Sequence, residues 1–468
     1  MKTIFIAILN GVEGKNILRS AVYKTLKAKG DWRIVLLFRS KTLASVYEAE
    51  FKTPGTFFEL LPPIKKLLPE RIFSRLKLYL LRSKTTDLHR QTHLEETGNY
   101  PIYFLSLSFN RIFGRAFVRR AVRFLDERLI RQNNLTPLFE KYRPNLVFLA
   151  DLFNDLEAAI LREAKRQKIP SVGLVNTWDR ITTRWLIRIL PDYFIAFNEI
   201  VKAELAEYDD FPLDKIYVSG TVQHDHLVSG EFSSREEFCR RLGIDSASKI
   251  LVYAPLGKFF DQSRPELDKW LVRILSERAT EGKFGQEKLT ILVRFHPNDL
   301  VDLGEWPNLP NVVYSRPGLK FTSALSDKVF SRTRGQNWDL TFEDLTLLRD
   351  TLYQSALVIC YYTSFSIDAA VLDKPVINVN FGVKDGQITK TPHSYYASVH
   401  YQKAARTGGI KLAADEEEFF AAITNYLANP ALDREKRRQL VSEQCFKLDG
   451  HSGERVAEYL LKFLNPKS

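Results

Sequence analysis

The stretch that decides the fold is residues 353–380, YQSALVICYYTSFSIDAAVLDKPVINVN. Ala356-Leu357-Val358-Ile359-Cys360 is an apolar run of strand length. A small hydroxyl cluster follows, Thr363, Ser364 and Ser366, and then a helical pattern through Asp368, Ala369, Ala370 and Leu372. Lys374-Pro375 stops that helix, and Val376-Ile377-Asn378-Val379 begins a second buried strand. Two such strands joined through a helix form a parallel crossover. The first turn of its helix directs unpaired N–H groups into the crevice beyond the strand ends, a place suited to an anionic diphosphate. The hydroxyls add donors without bulk. This pattern points to a nucleotide-linked ligand.

Working outward, short β-branched runs alternate with helical patterns along the whole chain, which predicts α/β architecture with parallel sheets. The first half supplies strands at 3–9, 33–38, 146–150, 171–175, 193–197 and 215–219. The second supplies them at 250–254, 290–294, 312–314, 356–360, 376–379 and 410–412. Between the two sets lies 222–248, with Gly230, Ser233, Ser234 and a charged helix, and the domain boundary is placed there. The expected domains are 1–225 and 226–451, with a closing helix about 452–468 returning to the first. No internal repeat or low-complexity tract interrupts them.

Composition narrows the partners. The 468 residues are 45% hydrophobic, enough for two cores of ordinary size. A formal net charge of +12 favours an anionic partner. Three widely spaced cysteines, with Cys360 inside an apparent core strand, fit a reducing compartment better than a disulfide framework. The opening apolar run 4–9 is too short for a secretory signal, and no uncharged run approaches a membrane span. The expectation is a cytoplasmic protein.

Residues 39–140 depart from the alternation. The runs 57–81 (FFELLPPIKKLLPERIFSRLKLYLL) and 109–131 (FNRIFGRAFVRRAVRFLDERLIR) mix Phe, Leu and Ile with Lys and Arg at roughly helical spacing. Such helices suit a membrane interface, cations over anionic head groups. They equally suit insertion helices packed on the first domain with a solvated basic face. Composition leaves both open.

Several strand ends carry chemistry. Arg294-Phe295-His296-Pro297 ends a strand, so Arg294 and His296 fall where open α/β sheets bind ligands, suited to a diphosphate and to acid catalysis. Asn176-Thr177-Trp178-Asp179-Arg180 follows another; Trp178, Asp179 and Arg180 suit a sugar or polyol, against the plainer reading of a capped helix start. Asp151 and Asp155 follow the strand at 146–150. Asp151 and Glu13, in the loop Asn10-Gly11-Val12-Glu13-Gly14, are rival bases for an acceptor hydroxyl, with Gly11 in the same turn. Asp151 also reads as an ordinary helix-start acid. Gly220, at the end of 215–219, and Lys258, in Ala254-Pro255-Leu256-Gly257-Lys258, are further phosphate-side candidates. His224-Asp225-His226 has two imidazoles but no third ligand pair, so a hinge is favoured over a metal. The opening loop lacks dinucleotide-binding glycine spacing, and Walker, kinase, zinc-hydrolase and nucleophile-elbow patterns are absent. Nucleic-acid binding has only charge in its favour.

In order, Ser219-Gly220-Thr221, Arg294-Phe295-His296-Pro297, Trp338 to Asp344, Tyr362 to Ala370, Asp373-Lys374-Pro375 and Asp449 to Arg455 resemble bacterial GT-B glycosyltransferase-like proteins. The likeness lies near the CDP-glycerol glycerophosphotransferases and the UDP-N-acetylglucosamine 2-epimerases, and it covers residues from about 140 onward. It implies two Rossmann-like domains facing across a cleft, the second holding the donor. It further implies a metal-independent transferase of the cell envelope, with no cofactor. A nucleotide sugar would be donor and a lipid-linked or saccharide molecule acceptor. By motif, Arg294, His296, Thr363, Ser364 and Ser366 would meet the diphosphate. Asp368 stands where many such enzymes place a ribose-binding glutamate, one methylene shorter. The epimerases open with a Gly-Thr-Arg-Pro-Glu type loop, absent here. The glycerophosphotransferases carry Trp-His where this chain has Trp178-Asp179, which favours a nucleotide sugar over a polyol-phosphate donor. A CDP-glycerol-type polyol-phosphate transferase, or a nucleotide-sugar-binding protein of the same fold without catalysis, is the alternative.

Overall fold

The computed structural model describes residues 1–64, 67–183, 185–256, 265–297, 299, 301–320, 338–384, 387–390 and 396–465. The chain forms two compact units, residues 1–222 with 397–400 and 446–468, and residues 223–396 with 401–445.

The first unit is built on a parallel sheet of β1 (Thr3–Ile8), β2 (Arg33–Phe38), β3 (Thr56–Leu60), β4 (Leu146–Leu149), β5 (Ser171–Leu174), β6 (Tyr193–Ala196) and β7 (Ile216–Val218). Their order is β3-β2-β1-β4-β5-β6-β7. β1 and β4 are buried along their whole length, as near-continuous apolar runs require when helices cover both faces of a sheet. Winding reverses between β1 and β4, so their C-terminal ends open the crevice where doubly wound sheets bind ligands.

The second unit repeats this plan with β8 (Lys249–Tyr253), β9 (Leu289–Arg294), β10 (Val312–Ser315), β11 (Ser355–Cys360), β12 (Val376–Val379) and β13 (Lys411–Ala413), in the order β10-β9-β8-β11-β12-β13. All of these pairings are parallel. The decisive stretch forms β11, a helix Phe365–Val371 and β12, with Val358 opposite Val376. Winding reverses between β8 and β11. Both sheets contain the strands expected from the sequence, to within one residue at each end.

One expectation about residues 39–140 needs correction. Alternation continues further than predicted, because the helix Lys41–Phe51 leads into the edge strand β3; the start of 57–81 is therefore strand. The remainder is helical, Leu68–Leu80, Lys84–Thr97, Tyr100–Phe113 and Ala116–Leu129. Its charges divide, with Arg71, Arg75, Arg115 and Arg120 exposed to solvent and a second set facing in. Glu70, Lys77, Arg119, Arg123 and Asp126 turn inward and are buried. Arg188 binds Asp126 at 2.7 Å and Asp155 at 2.9 Å, Arg162 reaches Glu70 at 3.2 Å, and Lys77 reaches Asp155 at 3.0 Å. Arg123 holds Asp209 at 2.7 Å, and Arg119 holds Asp210 at 2.6 Å. Each buried charge has an opposite partner, which offsets its loss of water.

The helix Ser452–Leu464 packs on the helix Ala21–Ala28 through Gly453, where a Cβ would lie 3.0 Å from both the Ala21 Cβ and the Val22 nitrogen. Arg455 donates to the Ser219 carbonyl at 2.6 Å and pairs with Asp449 at 2.8 Å. Gly453→Val should therefore destabilise the first unit by about 1–3 kcal/mol through overpacking, read as a lower urea midpoint at unchanged slope. An unshifted midpoint would mean the contact yields without strain.

Candidate functional site

In the second unit the candidate residues gather on one edge of the sheet. Arg294 ends β9, and Thr363 and Ser364 follow β11; these strands flank β8, so their tips lie roughly 10 Å apart at normal strand spacing. His296 is exposed two residues beyond Arg294, its ring edge-on to Trp338 at 5.8 Å. Ser364 is half-buried at the helix start and makes no capping bond with its side chain. The helix behind it has only seven residues, so its dipole is modest and side-chain donors carry more of any attraction for an anion. Arg294 is buried, and its Nη1 has no hydrogen-bond acceptor among the described residues. Burial lowers its guanidinium pKa to about 10 against the opposing pull of Asp344. A buried cation with an idle donor at a strand tip is suited to bind an anion.

Two residues assigned to the donor differ from expectation. Ser366 is fully buried, and its hydroxyl lies 3.1 Å from Asn378 Oδ1 and 3.2 Å from Cys360 Sγ. The Asn378 amide in turn donates to the Tyr361 carbonyl at 2.7 Å. Ser366 ties the crossover together from within and does not line the crevice, because its position on the helix faces the sheet. Asp368 accepts from His224 Nε2 at 3.0 Å. Burial disfavours charge on His224, yet Cys445 and Asp368 beside it raise the imidazole to about 10. The sequence expectation of a hinge at His224 did not anticipate this ion pair, whose partners lie 144 positions apart. Lys258 lies outside the described residues. Gly220 belongs to the first unit, at φ 91°, under the closing helix; a Cβ there would fall 2.6 Å from Ser452 Oγ. That packing, not a phosphate, explains the glycine.

In the first unit the loops after β1, β4 and β5 converge at the reversal. Asn10 caps the short turn Gly11–Glu13 by accepting from the Val12 N–H at 3.0 Å. Glu13 accepts from the Asn10 N–H at 2.8 Å and from its side-chain amide at 3.0 Å. Gly11 and Glu13 are both buried, so neither faces a substrate: Glu13 closes the turn instead of serving as a base. Burial raises its pKa well above the usual carboxylate range, reinforced by Asp151 and Glu157. Gly14 follows because Tyr47 crosses there; a Cβ would sit 1.7 Å from the Tyr47 hydroxyl oxygen.

Asp151 stands otherwise. It forms an ion pair with Arg180 at 2.6 Å and accepts from Asn154 at 2.9 Å. Together with Arg39, Lys77, Phe153, Arg180 and Trp185 it lines a cavity of about 610 Å³. Arg180 also reaches Thr177 at 3.2 Å. Trp178 is half-buried, edge-on to His400 at 4.8 Å, and the Asp179 carbonyl accepts from the Thr183 hydroxyl at 2.8 Å. Thus Asp151 and Arg180 meet, Asp179 helps start a one-turn helix, and Glu13 lies beneath. Sequence reading missed Glu157, which accepts from the Asp151 N–H at 3.1 Å and from the N–H of Leu152, whose φ is 61°. A capping signal, Asn154 three residues before Glu157, was available; the burial was not. Among the described residues no cluster of acids, histidines or cysteines suits a metal ion.

No family model and no curated protein matches this sequence. Solved structures do. The UDP-GlcNAc 2-epimerase of Neisseria meningitidis bound to UDP-GlcNAc is similar at TM-score 0.56 and 12% identity, over 99% of this chain and 100% of that one. The S. aureus MnaA–UDP structure matches at 0.53 and 13%, over 99% and 97%. A variant of the wall teichoic acid polymerase TagF matches at 0.50 and 12%, over 100% and 89%.

One consequence is measurable. Burial, with Asp151 nearby, raises Glu157 from 4.5 to about 8. The folded form then binds its proton more tightly than the unfolded form, so this group's stabilisation is full below about pH 4.5 and fades as pH rises through about 8. Thermal melts from about pH 5 to 9 should show stability falling with pH, and Glu157→Gln should flatten that slope. An unchanged slope would contradict the assignment. With both sheets reversing at the same topological point, and with such neighbours, the chain has the GT-B fold, in the structural vicinity of the UDP-GlcNAc 2-epimerases and TagF.

Proposed function

We propose that this chain is a metal-independent GT-B glycosyltransferase of cell-envelope polysaccharide synthesis. It moves a sugar from a nucleotide diphosphate to a lipid-linked or saccharide acceptor. The observation that carries the reading is the gathering of Arg294, His296, Thr363 and Ser364 on the edge of the second sheet where its winding reverses. In this reading the acceptor oxygen bonds to the anomeric carbon as the bond from that carbon to the diphosphate oxygen breaks. Arg294 and the hydroxyls of Thr363 and Ser364 receive the charge that develops on the departing diphosphate, and His296 donates to it. Asp151, which lines the first-unit cavity, takes the acceptor proton, while Arg180 orients its carboxylate. Trp178 and Asp179 belong to the acceptor side. The protein works at the cytoplasmic face of a membrane, with peripheral contact through residues 57–131.

Epimerisation fits less well, since Asn10-Gly11-Val12-Glu13-Gly14 replaces the loop those enzymes carry. The burial of Glu13 and the ion pairing of Asp151 favour one second reading, a nucleotide-sugar-binding protein of the same fold without catalysis.

Calorimetry against UDP-, GDP- and CDP-linked donors separates these readings. One donor class should bind, and the Arg294→Ala, His296→Ala double variant should weaken it at least ~tenfold. Equal binding by that variant would remove the donor site. Donor turnover abolished in Asp151→Asn with binding intact supports transfer; binding without turnover in the wild type supports the second reading.

A further inference from the structure

The insertion helices of the first unit have an inverted polarity. In an ordinary surface helix the apolar stripe faces the core and the charges face water. Here Glu70 and Lys77 point inward from Leu68–Leu80 beside Phe73 and Leu80, while Leu68 and Ile72, 71% and 51% exposed, point out. From Ala116–Leu129, Arg119, Arg123 and Asp126 point inward, while Phe117 and Phe124, 67% and 55% exposed, point out. Between them Tyr100–Phe113 buries only Asn110 and exposes Phe104 and Leu105. The ion pairs that Arg188, Arg162, Arg123 and Arg119 make keep the helices in this orientation. An apolar face this extensive is not left bare to water without an occupant.

We infer that this face inserts into the interfacial layer of an anionic lipid bilayer, its aromatic and aliphatic side chains below the head groups. Charge complementarity selects the occupant. Arg71, Arg75, Arg111, Arg115, Arg120 and Arg128 are all exposed among the apolar residues. Among the acids of these helices, Glu127 lies 3.6 Å from Lys165 and Asp87 lies 3.6 Å from Arg111, while Glu95 and Glu96 are exposed on the helix Lys84–Thr97. Arginines suit a lipid interface, where their stems follow the apolar layer and their heads reach phosphates. No helix among the described residues is long and apolar enough to cross a membrane, so the contact is one-sided. This differs from adsorption of a basic surface, because apolar burial holds the protein and the cations choose the lipid. The inference deepens the membrane contact of the proposed function but needs no transfer chemistry.

The test is flotation of the full chain with vesicles of phosphatidylcholine alone or with phosphatidylglycerol. The wild type should float with the anionic vesicles and remain bound in high salt. A Phe104→Ser, Leu105→Ser, Phe117→Ser variant should lose at least ~tenfold in the bound fraction. Its melting temperature and donor binding should match the wild type, since those side chains face solvent. Arg115→Gln with Arg120→Gln should narrow the preference for anionic vesicles while leaving salt-resistant binding. Three results would overturn the inference: no flotation of the wild type, binding abolished by salt yet unaffected by the serine variant, or a dimer in sedimentation that the serine variant dissolves with no vesicle binding. Donor binding in the same samples reports on the transferase reading separately.

Discussion

The constraint on which everything else rests is the reversal of winding in each parallel sheet, between β1 and β4 and between β8 and β11. Where the connections leave to opposite faces, the strand tips are left uncovered, and the loops there are free to carry polar side chains. Both candidate clusters lie at such a point. In the second unit the result is a cationic, hydroxyl-bearing edge. In the first it is a mixture of carboxylates and arginine. One architecture, used twice, has been given different electrostatics by a few loop residues.

Burial sorts these loop residues into support and surface. Glu13 and Glu157 hold backbone N–H groups in place, and burial raises both carboxyl groups above their usual range. Asp151, a few positions from Glu157, reaches the cavity. Ser366 and Ser364, two residues apart, differ in the same way: one is fused into the Cys360–Asn378 network and the other is half-buried at the helix start, while the Thr363 hydroxyl is buried like that of Ser366. Chemical type alone does not make that distinction.

This also explains what was legible in the sequence. Parallel buried strands are read from runs of Val, Ile, Leu and Phe, a signal local to five or six residues, and every strand predicted this way is present. The crossover after Cys360 was readable for the same reason. β3 was missed because its exposed edge residues, Phe57 and Leu60, break the pattern of burial. Ion pairs such as His224–Asp368 and Arg188–Glu70 join distant positions, and no spacing rule announces them. In the insertion a periodic mixture of Phe and Arg does not say which stripe faces in. That depended on partners, Asp209, Asp210 and Asp155, contributed by other parts of the chain.

The crossing of Tyr47 over Gly14 has an evolutionary corollary. The ring occupies the space in which any side chain at position 14 would begin, and Arg19 lies over the same ring at 5.0 Å. Drift at either position is therefore conditional on the other. A lineage that enlarges residue 14 must first trim the tyrosine, and in doing so it strips a cation of its aromatic platform. Homologues should carry the pair together or replace it together, which makes the couple a better marker of descent than either residue alone.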